Sequence, residues 1–102
     1  MFDIKKMMDA FKDASNMQQQ IQDALKSAVV EGNAGGGMVT AKMNGTFDLL
    51  DIHIESNVFQ MNDPAFLQDM VKAAVNDASQ KARELVAEKM KSLTGRLGLP
   101  IG

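Results

Sequence analysis

The 102-residue sequence has no cysteine, no tryptophan and no tyrosine, and it holds one histidine and two prolines. Without cysteine there are no disulfides, no thiolate metal ligands and no Cys nucleophile, which also suits a reducing interior. Without Trp and Tyr the usual stacking platforms for single-stranded nucleic acid and for base-specific RNA readout are missing. A lone histidine, His53, falls short of a triad or metal centre, which need several converging groups. No apolar run approaches a membrane span. The start, MFDIKKMMDAFKD, shows neither the apolar core nor the small-residue cleavage site of a secretory signal, so a soluble cytoplasmic protein is expected. Eleven basic against 13 acidic residues give a net charge of −2. Any nucleic-acid surface must then be local rather than global.

What is present begins as a helix. Ile4, Met7, Phe11, Ala14, Ile21, Leu25 and Ala28 recur at spacings of three and four. Gln18 fills the one polar slot in that stripe, either setting register or lying at a solvated edge. About 25 residues make a rod of roughly 37 Å, longer than a small sheet can cover.

The period then becomes two. SAVVEGNA and MVTAKM read as strands, with Val39, Ala41 and Met43 on one face and Thr40 and Lys42 on the other. TFDLLDIHIE reads as a third strand, with Leu50, Ile52 and Ile54 opposed to Asp51, His53 and Glu55. The glycines Gly35, Gly36 and Gly37 stand where the first hairpin must turn, and Asn44-Gly45 signals a two-residue second hairpin. A phosphate-binding loop would need Lys-Ser or Lys-Thr and a helix next, whereas Met38-Val39 and a strand follow.

SNVFQMN reads as a linker, and Asp63-Pro64 as the cap and first residue of a long helix. Its stripe is Leu67, Val71, Ala74, Ala78, Ala82, Leu85, Val86, Met90 and Leu93. The alanines in its middle permit close approach. Thr94-Gly95 reads as the helix end, and RLGLPIG as a short mobile tail.

The expected fold is α+β, in the order α-β-β-β-α, as one domain over 1–102. Its helix covers about 3–28, its strands about 28–34, 38–43 and 46–55, and its second helix about 63–94. Two long helices on a three-stranded sheet leave apolar stripes protruding, which a homodimer would bury.

No catalytic motif is present: no nucleophile elbow, no Walker pattern and no dinucleotide fingerprint. Asp51, His53 and Glu55 share a strand face about 7 Å apart, which describes a solvated face better than an ion site. The nine Met residues fill helix seams or line an adaptable groove. No enzymatic activity and no metal are expected.

Charge is uneven along the chain. Lys5 and Lys12 with Asp9, Lys26 with Asp23, Lys72 with Asp69 and Lys81 with Asp77 stand at helical i,i+3 or i,i+4 spacing and read as solvated surface. Arg83, Lys89 and Arg96 have no acid at those spacings, and Lys89 and Arg96 are a heptad apart. Five bases and two acids between Lys81 and Arg96 give a local excess of +3. Such an excess suits a helix C-terminus by itself. Presented twice by a dimer, it also suits the phosphates of duplex DNA.

VEGNAGGGMVTAKMNG resembles the V-x-G-x-[SA]-G-x-G-x-V-x-V-x-x-[ND]-G signature of the YbaB/EbfC nucleoid-associated proteins. MVKAAVNDA, from Met70 to Ala78, resembles that family's LVxAAxNDA. The ending EKMKSLTGRLGLPIG resembles its EKM…G…LP.G tail. The resemblance covers nearly the whole chain. It implies a bacterial, cytoplasmic, tweezer-like homodimer that associates with the nucleoid, binds duplex DNA, uses no cofactor and acts in chromosome organisation or gene regulation. DNA contact would fall on the projecting helices, at Lys5, Lys6 and Lys12 on the first and at Lys81, Arg83, Lys89 and Lys91, with Arg96 beyond, on the last. The chain departs from the pattern at Leu50 and Asp51, where many members carry a basic pair. That departure supports an alternative: a dimeric interaction module that has lost DNA binding and offers Met-rich helix grooves to a protein partner.

Overall fold

In the computed structural model, residues 3–96 are described, with side chains through Ser92. The elements are α1 (Ile4–Ser27), β1 (Val29–Ala34), β2 (Val39–Asn44), β3 (Leu49–Ile54), α2 (Ser56–Gln60) and α3 (Pro64–Arg96). The strands form one antiparallel sheet in the order β1-β2-β3.

The alternation in β2 decides where the core lies. Val39, Ala41 and Met43 are buried, and they meet Ala74, Ala78 and Ala82 of α3, each fully buried. Small side chains let the helix backbone approach the sheet closely. At Gly32 the approach excludes any side chain, because a Cβ there would collide with backbone atoms of Ala74 and Ala78. Val30, Ile52, Ile54, Met70, Val71 and Val75 pack around this centre.

The turns show which glycine does what. Gly35, Gly36 and Gly37 all have positive φ (63°, 68° and 101°), the left-handed backbone that a side chain resists. The second hairpin differs from the Asn-Gly expectation. Its left-handed residue is Phe47 (φ 66°), and the loop is Gly45-Thr46-Phe47, closed by Asn44 and Asp48. Buried Asn44 organises it: its Oδ1 accepts from the Thr46 N–H, the Thr46 hydroxyl and the Asp48 N–H at 3.1, 2.8 and 3.0 Å. Gly45 serves close approach instead. Its N–H donates to the Leu25 carbonyl at 2.8 Å and the Ala28 carbonyl at 3.1 Å, satisfying helix-end acceptors of α1.

Three further boundaries depart from expectation. The segment read as a linker contains α2, a single turn anchored by buried Val58. α3 runs through Thr94 and Gly95 to Arg96. An interior Gly costs only about 1 kcal/mol relative to Ala, too little to stop a helix of this length. A β-bulge at Leu50 shifts the β2–β3 register, so Leu50 stays half-exposed while Ile52 and Ile54 pack inward. Asp63 does cap α3, with its Oδ1 accepting from the Phe66 N–H at 3.1 Å. The expected RLGLPIG tail falls outside the described residues from position 97 onward.

The molecule is far from spherical. Its radius of gyration is 20.1 Å and its long axis 74 Å, where a compact chain of this length would have a radius near 13 Å. Among the described residues α1 has a single buried side chain, Leu25 near its C-terminal end, whose carbonyl accepts from the Gly45 N–H. α3 crosses the sheet antiparallel to β1, from Met70 beside Gly35 to Lys81 beside Glu31. Its C-terminal half therefore leaves the sheet at the same end as α1.

Candidate nucleic-acid interface

Two helix overhangs carry the basic residues. On α1, Asp3 caps the first turn by accepting from the Lys5 and Lys6 N–H groups at 3.1 and 3.4 Å. Beyond that cap Lys5, Lys6 and Lys12 are exposed on a rod of about 36 Å. On α3 the last buried residue among the described side chains is Ala82, and Arg83, Lys89 and Lys91 stand exposed after it. The backbone of Arg96 is helical, but its side chain lies outside the described residues.

Lys81 sits differently. Its ammonium is 3.2 Å from an Asp77 carboxylate oxygen and donates to the Glu31 carbonyl at 3.0 Å. Asp77 in turn accepts from the Asn33 N–H at 3.0 Å. That contact first, and Lys81 second, hold the Asp77 carboxyl below its ordinary pKa. Glu31 and Asn33 turn these backbone groups away from β2, so one i,i+4 pair on α3 seals part of the outer edge of β1. Lys81 is thus committed to the α3–sheet contact, which helical spacing alone did not reveal. Of the five expected helix-surface pairs, Lys81–Asp77 closes, while Lys5–Asp9, Lys12–Asp9, Lys26–Asp23 and Lys72–Asp69 do not form ion pairs.

Arg83 and Lys89 make no ion pair with a described residue, and Arg83 makes a long contact of 3.3 Å to Gln80. They occupy different sides of α3. Lys89 follows Ala78 by eleven residues, about three turns, so it continues the face that meets the sheet. Arg83 lies well around the helix from that face.

The open face of the sheet carries both signs of charge. Glu31, Lys42 and Asp51 face one another across the three strands, with Lys42 3.7 Å from Glu31. Glu31, Asp51 and His53 are exposed there. Among the described residues no cluster of three His, Cys, Asp or Glu is arranged to hold a metal ion, and no helix is long and apolar enough to cross a membrane.

Near the start of α1 lies an apolar patch that no other described residue covers. Ile4, Met7, Met8 and Phe11 line it, and Phe11 is 80 % exposed.

These features define a class: a small α+β protein with a closely packed helix-on-sheet centre and two long helices that overhang it and carry exposed basic residues. Residues 1–97 match the YbaB/EbfC DNA-binding family, and the chain belongs to that family. A nucleoid-associated protein of Chloroflexus aurantiacus is 40 % identical over 93 residues, covering 91 % of this chain and 93 % of the relative. One from Bradyrhizobium diazoefficiens is 38 % identical over 102 residues, covering 100 % and 96 %. An uncharacterized protein of Helicobacter pylori, known from a crystal structure, shares the fold with a TM-score of 0.65 at 23 % identity, covering 95 % of this chain and 98 % of that one.

Proposed function

We propose that the chain works as a homodimeric, nucleoid-associated protein that holds duplex DNA mainly through phosphate contacts, in the bacterial cytoplasm, with a role in chromosome organisation or gene regulation. It uses no cofactor and catalyses no reaction. The observation that carries this reading is the far end of α3, where exposed Arg83, Lys89 and Lys91 outnumber Glu84 and Glu88 and where Arg83 and Lys89 make no ion pair with a described residue, while on the open sheet face Lys42 stands between Glu31 and Asp51. The name shared by the relatives supports the same assignment. Lys5, Lys6 and Lys12 on α1 and Arg83, Lys89 and Lys91 on α3 make the contacts. Lys81 positions α3 on the sheet rather than reaching for phosphate.

A second reading rests on the apolar patch of Ile4, Met7, Met8 and Phe11, which phosphate contact does not require. It makes the chain a dimeric interaction module whose Met-rich groove takes a protein partner.

Fluorescence anisotropy with a labelled duplex across a salt series tests the first reading. Each neutralised phosphate contributes a slope of about −0.9 in log K against log salt. We expect measurable affinity that falls steeply with salt, and loss of binding in the Arg83→Glu, Lys89→Glu double variant with unchanged folding. A folded wild-type dimer that binds no duplex even at low salt would transfer the proposal to the protein-partner reading.

A further inference from the structure

Of the six asparagines in the chain, Asn44 alone is followed by glycine. An Asn-Gly pair is prone to lose ammonia, because a glycine nitrogen with no Cβ beside it is free to attack the asparagine carboxamide carbon. Here both reacting groups are held. The Asn44 side chain is buried, and its Nδ2 donates to Asp48 at 3.3 Å while its Oδ1 accepts from the three donors of the loop. Those three donors would also stabilise the oxyanion that attack creates, so they do not protect the carboxamide. The protection lies on Gly45. Attack needs its nitrogen as the anion, and that nitrogen donates to the Leu25 and Ala28 carbonyls at 2.8 and 3.1 Å. Hydrogen bonds made by the protonated form oppose loss of the proton.

We infer that Asn44 is a latent self-modification site and that the docked C-terminal end of α1 keeps it unreacted. When that end lifts, the Gly45 N–H is released to water, and base removes its proton. The nitrogen closes a bond to the Asn44 carboxamide carbon, the bond from that carbon to Nδ2 breaks, and the departing nitrogen recovers a proton and leaves as ammonia. The product is a succinimide ring. Water opens it at either carbonyl, to aspartate or to isoaspartate. Isoaspartate carries the former side-chain carbon in its main chain, so it cannot present an acceptor to Thr46 and Asp48 as Asn44 does, and Gly45 is displaced from the end of α1. A copy that opens and reacts to isoaspartate therefore stays open. The attachment that guards the site is narrow, since Leu25 is the single buried side chain of α1 among the described residues. Local opening of so lightly held an element costs less free energy than global unfolding. The inference rests neither on DNA binding nor on dimerisation.

The full chain is incubated at mildly alkaline pH, and reaction at residue 44 is followed by mass spectrometry of its proteolytic peptides. The same chain in denaturant sets the unprotected rate. We expect the folded wild type to react about tenfold more slowly than that, or slower still. Leu25→Ala loosens the end of α1 and should restore most of the lost rate while circular dichroism still reports a folded chain. Gly36→Ala strains the far hairpin, where the added atom meets nothing, and so measures a general loss of stability. Brought to equal stability with a little denaturant, it should react several-fold more slowly than Leu25→Ala. If Leu25→Ala does not fold, Leu25→Val supplies the milder loosening and is read in the same way. A folded wild type that reacts as fast as the denatured chain overturns the protection. Equal rates in the two variants overturn the guarding role of α1 and assign the reaction to global unfolding.

Discussion

The centre of this molecule and its overhangs are built from the same kinds of helix but under opposite constraints. In the centre, Ala74, Ala78 and Ala82 press against Gly32 and Ala41 with no solvent between them. In the overhangs, α1 from Ile4 to Gln20 and α3 beyond Ala87 keep every described side chain exposed. Stability is therefore concentrated in a short length of α3 and two strands. Charge is concentrated where stability is not at stake, so the two properties can be altered independently.

The largest effect should come from breaking the centre. Gly32→Ala drives a methyl group into the backbone of α3, and neither Ala74 nor Ala78 can yield without moving the helix. The expected loss is on the order of 3 kcal/mol, at the upper end of overpacking costs, read as a drop in the chemical-denaturation midpoint. Gly36→Ala, where nothing lies near the added atom, tests positive φ alone and should cost less. Equal losses would mean that the Gly32 approach is looser than described.

A smaller effect should come from the polar seam at the border of the centre. Asp77 has a lowered pKa because it accepts from Asn33 and pairs with Lys81. Asp48 is lowered by its contacts with Thr46 and then Asn44. For a depressed carboxylate the stabilisation is present above the unfolded value, near 3.9, and is lost as pH falls through the folded value. Asp77→Asn keeps an acceptor for the Asn33 N–H but removes the charge. It should melt below wild type at pH 7, and the gap should close as both are taken below the folded pKa of Asp77. A gap that persists unchanged in acid would assign the effect to packing instead.

How much of this was legible in the sequence depends on the range of the interaction. The β2 alternation, the glycine turn and the Asp63-Pro64 start are set by local backbone preferences, and each stands where its pattern put it. Gly45 was legible as a turn residue but not as an acceptor-capping contact, because its partners Leu25 and Ala28 belong to another element. α2 was hidden because five residues carry no period, and only the burial of Val58 fixes it. For the candidate site, helical spacing marked Lys81 as a surface cation like its neighbours. Its bond to Glu31 spans 50 positions, which no local pattern encodes. The exposed bases on α1 and α3 were legible as types and places, whereas the side of α3 each one faces became clear only when the buried alanines fixed the orientation of that helix.

That orientation gives the finest way to separate centre from overhang. Lys89 continues the sheet-facing side of α3 past the last buried alanine, while Arg83 points elsewhere. If two copies grip a duplex between overhangs, the phosphates lie on the sheet-facing side. Lys89→Glu should then weaken duplex binding more than Arg83→Glu, and it should reduce the salt slope by about one contact per chain. Neither change should move the denaturation midpoint by more than about 0.5 kcal/mol, the usual range for exposed substitutions. If Arg83→Glu proved the more damaging, the duplex would lie along the outer side of α3, and the two overhangs would act as separate arms rather than as a clamp.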